Sequence, residues 1–159
     1  MPVTCYLVMH PRGVLLFDTG LSDRLIGRPV YENAIDGYGQ IVTKTLLSQL
    51  ADIGVAPSDI NYLALSHSHF DHVGNISELP SATCADFQSR AGLHVHCPDH
   101  LGKRGVFRLT PPQQLFKGDH DVFGDGSVIL KQTPGHTPGH QSLYVKLKQY
   151  GGVLISGDL

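Results

Sequence analysis

Along most of this 159-residue chain, apolar residues fall in short stretches broken by Gly and Pro, the rhythm of strands and turns. Residues 3–10 and 13–18 are two β-prone runs separated by Pro11 and Arg12, which predicts a hairpin. Residues 20–39 carry glycines, a proline and mixed polar residues and read as a long loop or lid. Residues 41–53 then place Ile41, Val42, Leu46, Leu47, Leu50 and Ile53 on one helical stripe, with Lys44, Gln49 and Asp52 opposite. Gly54 and Pro57 end that helix.

A compact apolar run, Tyr62 to Leu65, reads as a buried strand ending at Ser66. Later strands are expected at residues 128–132, 142–147 and 153–156, with Asp125-Gly126 and Gly151-Gly152 supplying turns. Residues 81–117 hold no steady period; a helical turn at 85–90 and a short strand at 93–96 are the expectations there. Many strands with few helices imply sheet-rich α/β layering. The length suits one domain spanning residues 1–159.

Composition adds little until the histidines are counted. A chain that is 41% apolar and 16% charged, with a formal charge of −2, is ordinary for a globular protein and has no basic footprint for nucleic acid. Cys5, Cys84 and Cys97 form no CxxC pair, which argues against a disulfide framework and fits a reducing, cytoplasmic setting. No apolar segment reaches membrane-span length, and the start lacks the pattern of a signal peptide. Ten histidines, however, are unusually many.

Three of them, His67, His69 and His72, stand with Asp71 directly after the buried run. Ligands on a loop held by a rigid strand can converge on one point, and mixed imidazole and carboxylate donors suit Zn²⁺ or a similar ion. A second signal is the pair of overlapping Thr-Pro-Gly-His units ending at His136 and His140, a stiff turn suited to aiming an imidazole. A third is the apolar strand that runs out at Ser156, Gly157 and Asp158. Each signal alone is weak, but the three in this order form a strong pattern.

That pattern resembles the metallo-β-lactamase superfamily, and within it the N-acyl-homoserine lactonase-like branch. The resemblance is carried by Phe17-Asp18-Thr19-Gly20, by Ser66 through Gly74, by Gly118 through Phe123 and by Thr133 through Leu143. It covers most of residues 1–79 and 117–159, whereas residues 81–116 depart from it. It implies an αββα sandwich and a hydrolase holding two divalent ions, zinc or a comparable metal. The first ion would take His67, His69 and His136, the second Asp71 and His72, with Asp158 bridging both. A shared water, acidified by the ions, would attack a lactone or ester carbonyl, with Asp71 orienting it or moving its proton.

The resemblance further implies a small-molecule lactone substrate, a quorum-quenching role and a possible homodimer. A glyoxalase II-like thioesterase shares the ligand set, and a metal-binding but inactive fragment, or a subunit completed by another chain, is the non-enzymatic alternative. The superfamily's second ion takes a further histidine downstream of the bridging aspartate. This sequence stops at Leu159, so the sandwich is expected to be incomplete on its C-terminal side.

Rival readings attach to other residues. Asp18-Thr19-Gly20 also resembles the aspartic-protease turn; the better reading makes Asp18 a support behind the metal loop. His94 and His96 are expected on polar surface, His120 and His140 outside the ligand set, His10 in the hairpin without a partner, and Cys5 in the core.

Overall fold

A computed structural model describes residues 2–28, 31–32, 39–79, 81–87 and 113–159. The expected hairpin forms: β1 (Tyr6–His10) pairs antiparallel with β2 (Gly13–Phe17), setting Tyr6 opposite Phe17 and His10 opposite Gly13. A two-stranded ribbon follows, β3 (Tyr31–Glu32) with β4 (Gly39–Gln40), inside the stretch expected to be loop. After helix α1 (Leu46–Asp52), strand β5 (Tyr62–Ala64) lies parallel to β2. Strands β6 (Thr83–Phe87) and β7 (Gln113–Phe116) extend the sheet in parallel, giving the order β1-β2-β5-β6-β7. The second sheet is an antiparallel meander of β8 (His120–Asp121), β9 (Val128–Gln132), β10 (Gln141–Leu147) and β11 (Gly151–Ile155).

Strand periodicity builds two cores. Successive side chains of a strand point to opposite faces. Leu15, Phe17, Ala64 and Ala85 therefore face the second sheet and pack with Val128, Leu130, Leu143 and Val145. Leu16, Leu63 and Cys84 face the other way and pack beneath Leu46 and Leu50 of α1, with Val55, Ile60, Ile76 and Leu79. Each such Leu or Phe, fully removed from water, contributes about 1.5–3 kcal/mol. Cys5, expected in the core, is half-buried and packs against this outer core, and burial pushes its thiol up to about 12.

The helix is shorter than its apolar stripe predicts. Ile41 and Ile53 are 60% and 62% exposed, because α1 starts only after Thr45 and ends at Asp52, leaving one on each side of it. The Thr45 hydroxyl accepts from the Ser48 N–H at 3.1 Å. The Asp23 carboxylate, reaching in from the loop after β2, accepts from the N–H groups of Leu46 and Leu47. These acceptors satisfy donors that have no partner within a helix, and so set its start.

A second correction concerns residues 85–90. The helical turn expected there is replaced, as far as residue 87, by β6, whose pairing with β5 sets Leu63 beside Cys84 and Ala64 beside Ala85. That pairing joins segments about twenty positions apart and leaves little local period to read. Residues 88–90, the strand expected at 93–96, His94, His96 and Cys97 lie outside the described residues. His10, for its part, does have a partner: it stacks on Phe123 at 4.1 Å with Nε2 3.1 Å from Asp125 Oδ2, joining the hairpin to the β8–β9 turn. Among the described residues no helix is long and apolar enough to cross a membrane.

One glycine holds the histidine loop against the segment that follows β2. A Cβ on Gly74 would lie 2.3 Å from the Ser22 nitrogen and 2.6 Å from the Gly20 oxygen, both backbone atoms that cannot swing aside. Gly74→Ala is therefore expected to cost at least about 1–3 kcal/mol, the usual range for overpacking. A lower urea midpoint would report it; a midpoint equal to wild type would show that the loop can retreat.

Candidate metal centre

The loops leaving β2, β5 and β11 and the turn between β9 and β10 meet at one end of the two sheets, and each brings a polar group. Asp18, just past β2, has a φ of 62°, a left-handed conformation uncommon for a residue with a side chain. That backbone turns its carboxylate inward, where it accepts from the Ser66 N–H at 2.6 Å and the Ser66 hydroxyl at 2.8 Å. Its Oδ2 also lies 2.9 Å from Nδ1 of His72. Thr19 and Asn75 brace the same loop: the N–H and hydroxyl of Thr19 donate to the His72 carbonyl, and the Asn75 amide donates to the carbonyls of Thr19 and Leu21.

The turn that carries His136 is tied to the first sheet by Gln141. Its backbone N–H donates to the Ser66 carbonyl at 2.8 Å, and its side-chain amide donates to the Leu65 carbonyl at 2.6 Å. The segment ahead of the histidine loop is thereby fixed against the start of β10. Nothing in the local pattern of Gln141 foretells this.

Three imidazoles converge as a result. His67 Nε2 lies 2.9 Å from His69 Nδ1, and His136 Nε2 lies 3.0 Å from the same atom. Beside them, His67, His72 and Asp158 offer a second trio of donor atoms within 4.8 Å of one another. The Asp158 carboxylate divides its oxygens: Oδ2 is 3.7 Å from His136 Nε2 and 3.9 Å from His67 Nε2, while Oδ1 is 3.4 Å from His72 Nε2. Asp71 stands at the rim, its Oδ2 3.7 Å from His72 Nε2, and belongs to neither trio. Five of the six expected ligands thus fall in the two trios, and the sixth is adjacent. His120 stacks on Phe116 and, like His140, lies in neither trio.

The electrostatics favour bare nitrogens on His67 and His69. Burial, reinforced by the imidazoles of His72, His69, His136 and His140, pushes His67 down to about 2. His69 is lowered by burial and then by His136, against the pull of Asp71. Burial lowers His72 as well, but the hydrogen bond and charge of Asp18, with Asp71 and Asp158, outweigh it and leave that group raised. The hydrogen bond to Asp18 places a proton on His72 Nδ1 and leaves Nε2 as the free donor, the usual carboxylate–histidine arrangement behind a metal. Lone pairs crowded within 3.0 Å of one another, with two carboxylates at the edge, suit a divalent cation.

Two outcomes follow. Asp18→Ala would strand the Ser66 donors and free the His72 ring, and is expected to weaken metal binding at His72 by about 10- to 100-fold. Chelator competition measures this, and unchanged affinity would show that the ring is oriented by something else. In the metal-free chain, His67 and His69 take up protons less readily when folded than when unfolded. Stability should therefore fall as pH drops below the ordinary imidazole value toward about 2, offset in part by the raised His72. Urea midpoints at about pH 7 and about pH 5 test the sign.

The aspartic-protease reading of Asp18 fails on its burial. The residue is 2% exposed and its oxygens are engaged by Ser66 and His72, so it cannot meet a substrate.

The family model described as the metallo-beta-lactamase superfamily matches residues 1–159. The chain belongs to that superfamily. Among its superfamily relatives, N-acyl homoserine lactonase AttM of Azorhizobium caulinodans is 30% identical over 171 residues, covering 99% of this chain and 65% of the relative. N-acyl homoserine lactonase AiiA of Bacillus thuringiensis subsp. kurstaki is 30% identical over 163 residues, covering 99% of this chain and 64% of AiiA. The fold also matches an N-acyl homoserine lactone hydrolase solved with the product N-hexanoyl-L-homoserine at its catalytic metal center. There the TM-score is 0.81 at 28% identity, over 98% of this chain and 62% of that one. The chain thus spans just under two thirds of the length of these superfamily members. The αββα class expected from sequence agrees with that match.

Proposed function

We propose that this chain carries the metal centre of an N-acyl homoserine lactonase-type hydrolase, a quorum-quenching activity that adds water across the ester bond of a lactone ring. The observation that carries the reading is the Asp158 carboxylate, with one oxygen toward His136 and His67 and the other toward His72. A carboxylate so divided suits a bridge between two ions. The names of the relatives supply the substrate class.

Under this reading His67 Nε2, His69 Nδ1 and His136 Nε2 would hold one ion, His72 Nε2 and Asp71 would hold the other, and Asp158 would serve both. Neutral imidazoles with carboxylates fit zinc. When bound, such a pair of ions polarises a carbonyl oxygen and lowers the pKa of a water toward ~7. The residues do the rest. Asp18 keeps the proton of His72 on Nδ1, so that Nε2 stays free. Asp71, partly exposed at the rim, accepts a proton from the attacking water and returns it to the departing ring oxygen. One C–O bond forms, the ring C–O bond breaks, and the product is the open hydroxy acid.

The test is elemental analysis of the dialysed protein, with hydrolysis of N-hexanoyl-L-homoserine lactone measured beside that of a glutathione thioester. About two metals per chain and lactone opening are the expected result. A folded chain that retains no metal would remove the centre. Turnover of the thioester alone would move the assignment to the glyoxalase II-like class.

A further inference from the structure

His140 is fully buried beside the imidazole cluster and belongs to neither trio. Its Nδ1 lies 2.9 Å from the Thr133 hydroxyl and 3.1 Å from the Thr133 carbonyl. The Thr133 hydroxyl is 2.9 Å from the Ser142 hydroxyl, which donates to the Ser156 carbonyl at 3.2 Å. A carbonyl can only accept, and each hydroxyl has one proton to give. The direction of the whole chain then follows from its ends. Ser142 gives its proton to Ser156, Thr133 gives its proton to Ser142, and Thr133 must accept from an Nδ1–H of His140. Among the described residues the bare Nε2 of His140 has no hydrogen-bond partner.

That bare edge faces the residue just before Asp158. Gly157 has a φ of +63°, and a Cβ there would lie 2.9 Å from His140 Nε2 and 2.8 Å from the Ser66 Cβ. Gly157 is thus wedged between His140 and Ser66 while the carbonyl before it is held by Ser142. We infer that Thr133, Ser142 and His140 are positioning residues that hold the Ser156–Gly157 turn, and so place the Asp158 carboxylate between His72 and the three-imidazole trio. Asp158 itself is exposed and sits on the segment after the edge strand β11, so this bracing is what aims it.

The inference rests on the metal reading above for its affinity test, and a second test is independent of metal. In the metal-free chain, ¹⁵N shifts of His140 should show Nδ1–H and a bare Nε2; an Nε2–H tautomer overturns the proton chain. With Co²⁺ as the probe, Thr133→Val and Ser142→Ala should each weaken binding about tenfold, while Thr133→Ser, which keeps the hydroxyl, should stay within about twofold. In an Asp158→Ala background the same two changes should add nothing. Equal losses in both backgrounds, or no loss in either, overturn the inference. If Thr133→Val does not fold, Ser142→Ala decides. A wild-type chain that takes up no Co²⁺ removes the metal reading alone, and the His140 tautomer then decides the positioning chain.

Discussion

His69→Ala and His136→Ala are each expected to abolish tight binding at the three-imidazole site. His69 Nδ1 is the atom on which the other two nitrogens converge, at 2.9 and 3.0 Å. Its loss would leave His67 Nε2 and His136 Nε2 without the donor that completes the trio. The loss of affinity should exceed the roughly 10- to 100-fold typical of removing a residue that only supports a ligand. Folding should be little disturbed in His136→Ala, because that residue is exposed on its turn. Equilibrium dialysis against buffered Zn²⁺, with the unfolding midpoint of the metal-free variant as control, measures both. Stoichiometric metal retained at this site in either variant would remove its assignment.

Asp158→Ala is expected to lower occupancy at both sites together. The effect is separable from that of Asp71→Ala, which should weaken only the His72 site, since Asp71 approaches His72 at 3.7 Å and belongs to neither trio. The two oxygens of Asp158 face different imidazoles, so one truncation takes an anionic donor from each ion. With that charge gone, two cations set close together also repel one another less screened, and the second should bind worst. Competition with a chelator at graded strength resolves the two steps. A second ion bound as in wild type would show that Asp158 does not bridge.

Hydrolysis assays would report on the same geometry only at second hand. Metal affinity is the more direct measure because it does not depend on a substrate pose.

Much of this molecule could be read along the chain, because hairpins, buried strands and stiff turns are encoded locally. Pro11-Arg12 between two β-prone runs marked the β1–β2 hairpin, and the run ending at Leu65 placed the histidine loop on a strand end. The residues that offer the clustered donor atoms were legible for the same reason: imidazoles and carboxylates crowded into a loop, a Pro-Gly turn and a strand end form a recognisable local pattern. The role of Asp18 behind His72 followed from its place at the end of β2.

What lay beyond the sequence depends on how the two sheets stack. The start of α1 was misplaced because the acceptor on its first N–H groups, Asp23, comes from another segment. β6 was missed because a parallel strand is defined by its neighbours more than by its own period. The hydrogen bonds from Gln141 to Leu65 and Ser66, and from Ser142 to Ser156, join residues that meet only after both sheets have closed. The sequence by itself determined which donor types this protein offers and on which loops they stand, since those follow from composition and local backbone preference. Only the tertiary structure decided that Nε2 of His67 and His136, Nδ1 of His69 and the divided oxygens of Asp158 share one place. Such distances are set by the sum of many weak long-range contacts, none of which leaves a local mark.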